Sequence, residues 1–150
     1  KRSTHLKNLQ RNMDYEFNLI PIGKPRMTQR DKWLNPPRPE ILKYRLSRHA
    51  IQDYAMMEGF VLGEILEGTF ILPMPKSWSK KKQKLMDGKP HLNKPDLDNI
   101  IKFVQDSLKP EGDQMIHTIV ANKIWGEEGK IILRQHEKTT TDSSTNTGSI

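Results

Sequence analysis

Two hydrophobic rhythms divide the chain. Asp14 to Ile20 alternates, with Tyr15, Phe17 and Leu19 on one side, which predicts a strand that Pro21 ends. Glu40 to Glu58 is predicted helical: Leu42, Leu46, Ala50, Tyr54 and Met57 recur at helical spacing and form one apolar stripe, and Gly59 is a C-terminal stop. Gly63 to Leu72 reads as a second strand closed by Pro73-Met74-Pro75. A lysine-rich loop with a short helix over Ser79 to Met86 follows, turned by Asp87-Gly88. Asp98 to Leu108 is the next helix, with Ile100, Ile101, Val104 and Leu108 toward the core. Met115 to Trp125 is a long strand, Gly126 to Gly129 a hairpin turn, and Lys130 to Gln135 the returning strand. The order β-α-β-α-β-β predicts a single α/β (α+β) domain, a mixed sheet with helices packed on it.

Length permits one domain with a real core: 150 residues. Residues 14–135 are assigned to it. Residues 1–13 form a basic segment expected to fray, and residues 136–150 a Ser/Thr-rich tail without the large apolar groups needed to order itself. No apolar run approaches the ~20 residues of a membrane span, so no membrane partner is expected. The basic N-terminus lacks an apolar segment after it, so it does not read as a secretory signal. Cysteine is absent, which excludes disulfides and thiolate metal sites and fits a cytoplasmic location.

Formal charge is +7. That favours polyanionic partners only in a general way, and its placement says more. Pro73 to Lys94 carries seven lysines and one aspartate. Directly after it, Pro95-Asp96-Leu97-Asp98-Asn99 leads into the second long helix, and Asp113 follows that helix. Each acid taken alone has an ordinary explanation. Asp96 suits a helix N-cap, and Asp98 suits the helix dipole and a surface pair with Lys102. Three details favour a metal site instead. One cap needs one acid, whereas Asp96, Asp98 and Asn99 crowd this turn. Asp113 stands where the chain returns toward the next strand. The basic loop abuts the acids. Reaching Asp98 requires Asp113 to double back along a helix of ~16 Å, with the following strand antiparallel to the helix. Trp78 either stacks on a base or anchors the loop. His91 and His117 are weaker ligand candidates, since neither has a partner at metal-binding spacing.

The run Lys94-Pro95-Asp96-Leu97-Asp98-Asn99-Ile100-Ile101-Lys102 resembles the motif of the RusA family of Holliday junction resolvases. Ile22-Gly23-Lys24-Pro25-Arg26 resembles that family's basic loop after its first strand. Glu111-Gly112-Asp113-Gln114 resembles its acid loop, and Ile116 to Trp125 with Gly126-Glu127-Glu128 its C-terminal hairpin. The family usually has two adjacent acids in the loop after the helix. This chain has Gly112-Asp113, so the third acid is placed on Asp113 with Glu111 as the alternative. The resemblance implies a homodimeric, Mg²⁺-dependent endonuclease that cuts four-way DNA junctions symmetrically, with Mn²⁺ able to substitute, encoded by a bacterium or phage. It implies Asp96, Asp98 and Asp113 as metal ligands and Lys102 as a catalytic cation. Lys24, Arg26, Lys80, Lys81, Lys82, Lys84 and Lys94 would hold DNA backbone. A non-catalytic DNA-binding protein, or a metal-dependent flap or single-strand nuclease, are the competing readings.

Overall fold

The structure is a computed structural model that describes residues 13–136. The N-terminal segment and the Ser/Thr-rich tail therefore lie almost wholly outside the described residues. Four strands form one mixed sheet: β1 (Met13–Phe17), β2 (Ile65–Pro73), β3 (Thr118–Gly126) and β4 (Lys130–Gln135), in the order β1-β4-β2-β3. Three helices accompany them: α1 (Pro39–Glu58), the short α2 (Lys80–Met86) and α3 (Leu97–Leu108). Two 3-10 turns, Gln29–Lys32 and Asp113–Met115, have no counterpart in the sequence pattern.

α1 and α3 bury one face of the sheet. Phe17, Leu66, Phe70, Leu72, Ile131 and Leu133 from the strands meet Tyr44, Ile51 and Ala55 of α1 and Ile100, Phe103 and Val104 of α3. Along β2 buried and half-buried positions alternate strictly, as one covered and one open face require. Phe103 is fully buried and packs edge-on against Tyr44, so truncating it to alanine would cost about 3–5 kcal/mol.

Two sequence expectations are corrected. The stripe of α1 that faces the core is Ile41, Tyr44, Ile51 and Ala55, whereas Leu42, Leu46 and Met57 are exposed. Two apolar stripes run side by side on this helix. The core takes the one whose spacing is interrupted by Arg48, because its residues meet the sheet and α3. The hairpin over Gly126–Gly129 does not form: β4 pairs antiparallel with β1 and β2, while β3 pairs parallel with β2. The three residues between β3 and β4 instead cross the end of β2. Glycine permits that crossing. A Cβ on Gly126 would collide with Ile71 Cγ2, and one on Gly129 would meet the Ile20 backbone at 2.8 Å. β3 is thus an edge strand and not half of a terminal hairpin.

Candidate functional site

The parallel pair β2 and β3 organises the site. At their carboxyl ends the chain leaves β2 through Pro73, winds α2, and returns beside β3 before entering α3. In open α/β sheets this end is where ligands bind. The returning segment is tied to β3 by main-chain bonds from Gly88 to Trp125 and from His91 to Lys123, both 2.9 Å. Trp78 packs on Trp125 at 4.9 Å between ring centroids, so it anchors the loop. Lys82 lies over the Trp78 ring at 4.3 Å. Ser79 caps α2, its Oγ accepting from the Lys82 N–H at 3.1 Å. Lys80, Lys81, Lys82 and Lys84 are all exposed on this helix. The lysine-rich segment is therefore anchored on the carboxyl end of β3, in the stretch of chain that leads into the acids.

α3 begins at Asp96, which takes the N-cap position with φ −67° and ψ 144°. Its main-chain carbonyl accepts from Asn99 and Ile100, both at 3.1 Å, but its carboxylate makes no capping bond. The cap explains the backbone of Asp96 and leaves its charged oxygens unspent. Asp98 sits in the first turn, and both aspartates are exposed. Lys102 follows Asp98 by one turn and is also exposed.

Two cations hold this corner: Lys123, which sequence reasoning missed, and Lys24. Lys123, half-buried on β3, donates to the carbonyl of Asn93 at 2.5 Å and of Pro95 at 2.7 Å. Its signal in the sequence is a lone cation inside the apolar run Ile119 to Trp125. Lys24, expected to hold DNA backbone, has its Nζ 2.5 Å from Asp106 Oδ2, which also accepts from the Tyr44 hydroxyl at 3.0 Å. The Lys24 main chain donates to the Asn99 carbonyl at 2.9 Å. Gly23 makes that approach possible, since a Cβ there would sit 3.1 Å from Asn99 Cβ and 3.2 Å from Pro95 Cβ. Gly23, Lys24, Lys94, Pro95, Asp96 and Asn99 line a cleft of about 380 Å³.

Asp113 opens the 3-10 turn Asp113–Met115, after the loop that ends α3. Gly112 N–H bonds back to the Lys109 carbonyl at 3.1 Å, which keeps the Asp113 backbone beside the C-terminus of α3. β3 does run antiparallel to α3, as a return toward Asp98 requires, but it starts beyond Asp113. Glu111 is at the same end, 3.8 Å from Lys109 Nζ. Among the described residues no three acidic or histidine side chains converge. His117 is 3.6 Å from Glu64 and bonds Thr118 Oγ1 at 2.8 Å, at the far end of β3. His91 is 4% exposed, packs on Trp125 at 4.1 Å, and its Nδ1 has no hydrogen-bond partner. Burial first, and the Lys123 charge second, push its pKa down.

An α/β sheet that presents exposed carboxylates at a helix start, with a lysine-rich segment leading into it, fits the class of proteins that act on phosphodiesters. The model of the RusA endodeoxyribonuclease family matches residues 16–134, and the chain belongs to that family and is an endodeoxyribonuclease. The match runs from Glu16 in β1 to Arg134 in β4 and includes every residue of the acid corner. No curated protein matches the chain. Among the described residues no helix is long and apolar enough to cross a membrane.

Proposed function

We propose that this endonuclease is Mg²⁺-dependent and resolves four-way DNA junctions by paired phosphodiester hydrolysis as a homodimer. The observation that carries the metal reading is the Asp96 carboxylate: it stands at a cap position without capping, one residue from Asp98, on a corner held by Lys123. Exposed carboxylate oxygens are the donor set a small hard cation takes. When bound, such a metal supplies an activated water and offsets charge on the scissile phosphate. The chain's own groups do the rest. Asp96 and Asp98 hold the ion, with Mn²⁺ an acceptable substitute. Lys102 faces the phosphate one turn on, where it stabilises charge that develops in the transition state. Lys94 and the α2 lysines grip backbone without reading sequence.

The dimer reading gains from one feature. β3 is an edge strand with Ile119 and Val120 exposed at 46% and 55%, an apolar edge that a partner would cover. A two-fold dimer also matches the symmetry of a four-way junction.

The test is cleavage of a labelled four-way junction with and without Mg²⁺, beside duplex, flap and single-stranded controls. Symmetric paired cuts in the junction alone support the proposal. Cutting confined to flaps or single strands would replace it with the flap-nuclease reading. Binding without cleavage in any metal would leave a DNA-binding protein.

A further inference from the structure

The segment between β1 and α1 carries a side chain that the acid corner does not use. Gln29–Lys32 forms a 3-10 turn, Trp33 ends it, and the Trp33 side chain stands 82% exposed. A large apolar ring left this far in water on a loop is unusual. The support beneath it is stiff. Asp31 is only 4% exposed. It accepts from the Thr28 N–H at 2.8 Å, and from Arg38 through Nε and Nη2, both at 2.8 Å. Arg38 Nη2 also donates to the Arg26 carbonyl at 3.1 Å, which closes the loop onto the start of α1. The Arg38 guanidinium holds the Asp31 carboxyl well below the usual carboxylate range, so this clamp persists across ordinary pH. The surroundings are cationic. Arg26 and Arg30 line a cleft of about 660 Å³ with Thr28, Leu34 and Arg38, and Lys32 is exposed next to Trp33.

An aromatic face on a rigid mount, with Arg26 and Arg30 on the same short segment, suits a base stacked on the ring with its phosphates on the arginines. The mount also adjoins the acid motif. Arg26 is two residues beyond Lys24, whose main chain bonds to Asn99. We propose that Trp33 stacks on an unpaired or unstacked nucleobase while Arg26 and Arg30 take the adjoining phosphates, so that residues 26–34 recognise single-stranded character at a branch point. The choice of nucleic acid as partner rests on the nuclease reading above.

The experiment measures binding in EDTA, where no cleavage occurs, to a four-way junction, a short single strand and a matched duplex. Trp33→Ala is expected to weaken single-strand and junction binding about 5- to 150-fold and to leave duplex binding and the salt slope unchanged. Trp33→Phe is expected to restore most of the loss, because the ring face remains. Arg26→Ala and Arg30→Ala are expected to flatten the salt dependence instead. Equal loss on duplex, or no loss on any DNA, overturns the proposal. So does conversion to monomer by Trp33→Ala in light scattering, which would make the ring a subunit contact. The binding assay needs no metal, so it stands even if Asp96 and Asp98 prove non-catalytic. Failure of the wild-type chain to bind any of the three DNAs would instead sink the nuclease reading together with this one.

Discussion

The ammonium of Lys123 on β3 donates at 2.7 Å to the carbonyl of Pro95, the residue directly before Asp96. It also takes the Asn93 carbonyl, so one side chain fixes both ends of the turn that delivers the acids. Lys123→Met keeps the length and removes the charge. Activity is expected to fall about 10–100-fold, with a higher Mg²⁺ requirement, because the groups that orient metal ligands matter to that extent. Metal titration of cleavage checks this. Unchanged metal dependence would reduce Lys123 to a packing residue.

Asp96→Asn and Asp98→Asn are expected to abolish cleavage and leave junction binding intact. Because Asp96 makes no side-chain cap, its asparagine variant should stay within about 0.5 kcal/mol of wild-type stability, below the ~0.5–2 kcal/mol that loss of a working cap costs. Asp113→Asn tests the third acid, with Glu111→Gln as its control. Mixing Asp98→Asn with Asp113→Asn chains adds a sharper readout. If the loop acts across the dimer, a mixed dimer has one site free of both substitutions and nicks one strand. If each chain serves itself, every site carries a lesion and mixing restores nothing.

Removing Lys80, Lys81, Lys82 and Lys84 together should weaken junction and duplex binding alike. For every phosphate that a lysine no longer neutralises, the plot of log affinity against log salt flattens by about 0.9 on B-DNA. Binding isotherms at several salt concentrations measure it. The α2 lysines would be an idle solvated surface if the slope held constant.

The free edge of β3 gives the dimer prediction. Val120→Lys places a charge on an exposed edge position, so the isolated fold tolerates it. Light scattering is expected to report a monomer with lost paired cleavage. A dimer that persists would move the interface elsewhere, with the exposed Leu42 and Leu46 stripe of α1 the next surface to test.

His91 supplies a pH signature. Its folded pKa is lowered by burial and by Lys123, so the unfolded chain binds the proton more readily. Stability from this group is complete above the unfolded value of about 6.5 and drains away as pH falls below it. His91→Gln cannot titrate. Melting temperature against pH for the two chains should therefore converge in shape above that value and diverge below it. Parallel curves throughout would show that folding leaves the His91 pKa unchanged.

The local pattern of this chain carried its elements. Alternation marked β1, the closing Pro73-Met74-Pro75 bounded β2, helical spacing and Gly59 marked α1, and the short helix over Ser79 to Met86 was legible as α2, because these depend on neighbours within a turn or two. The acid motif was equally legible, since Asp96, Asp98 and Lys102 are set by positions along one helix start. Long-range pairing decided the remainder. Which stripe of α1 faces inward depends on the sheet and α3, not on the helix. The Gly126–Gly129 turn looks like a hairpin locally, yet β2 inserts between β3 and β4, pairing parallel with one and antiparallel with the other, and two glycines let the chain cross its end. Lys123 and Lys24 gain their roles only when β3 and the Gly23 loop arrive at Pro95 and Asn99. Asp113 shows the same dependence: it opens the 3-10 turn Asp113–Met115, which no local pattern marked, ahead of a strand that the His117 N–H bond to the Glu64 carbonyl ties to β2.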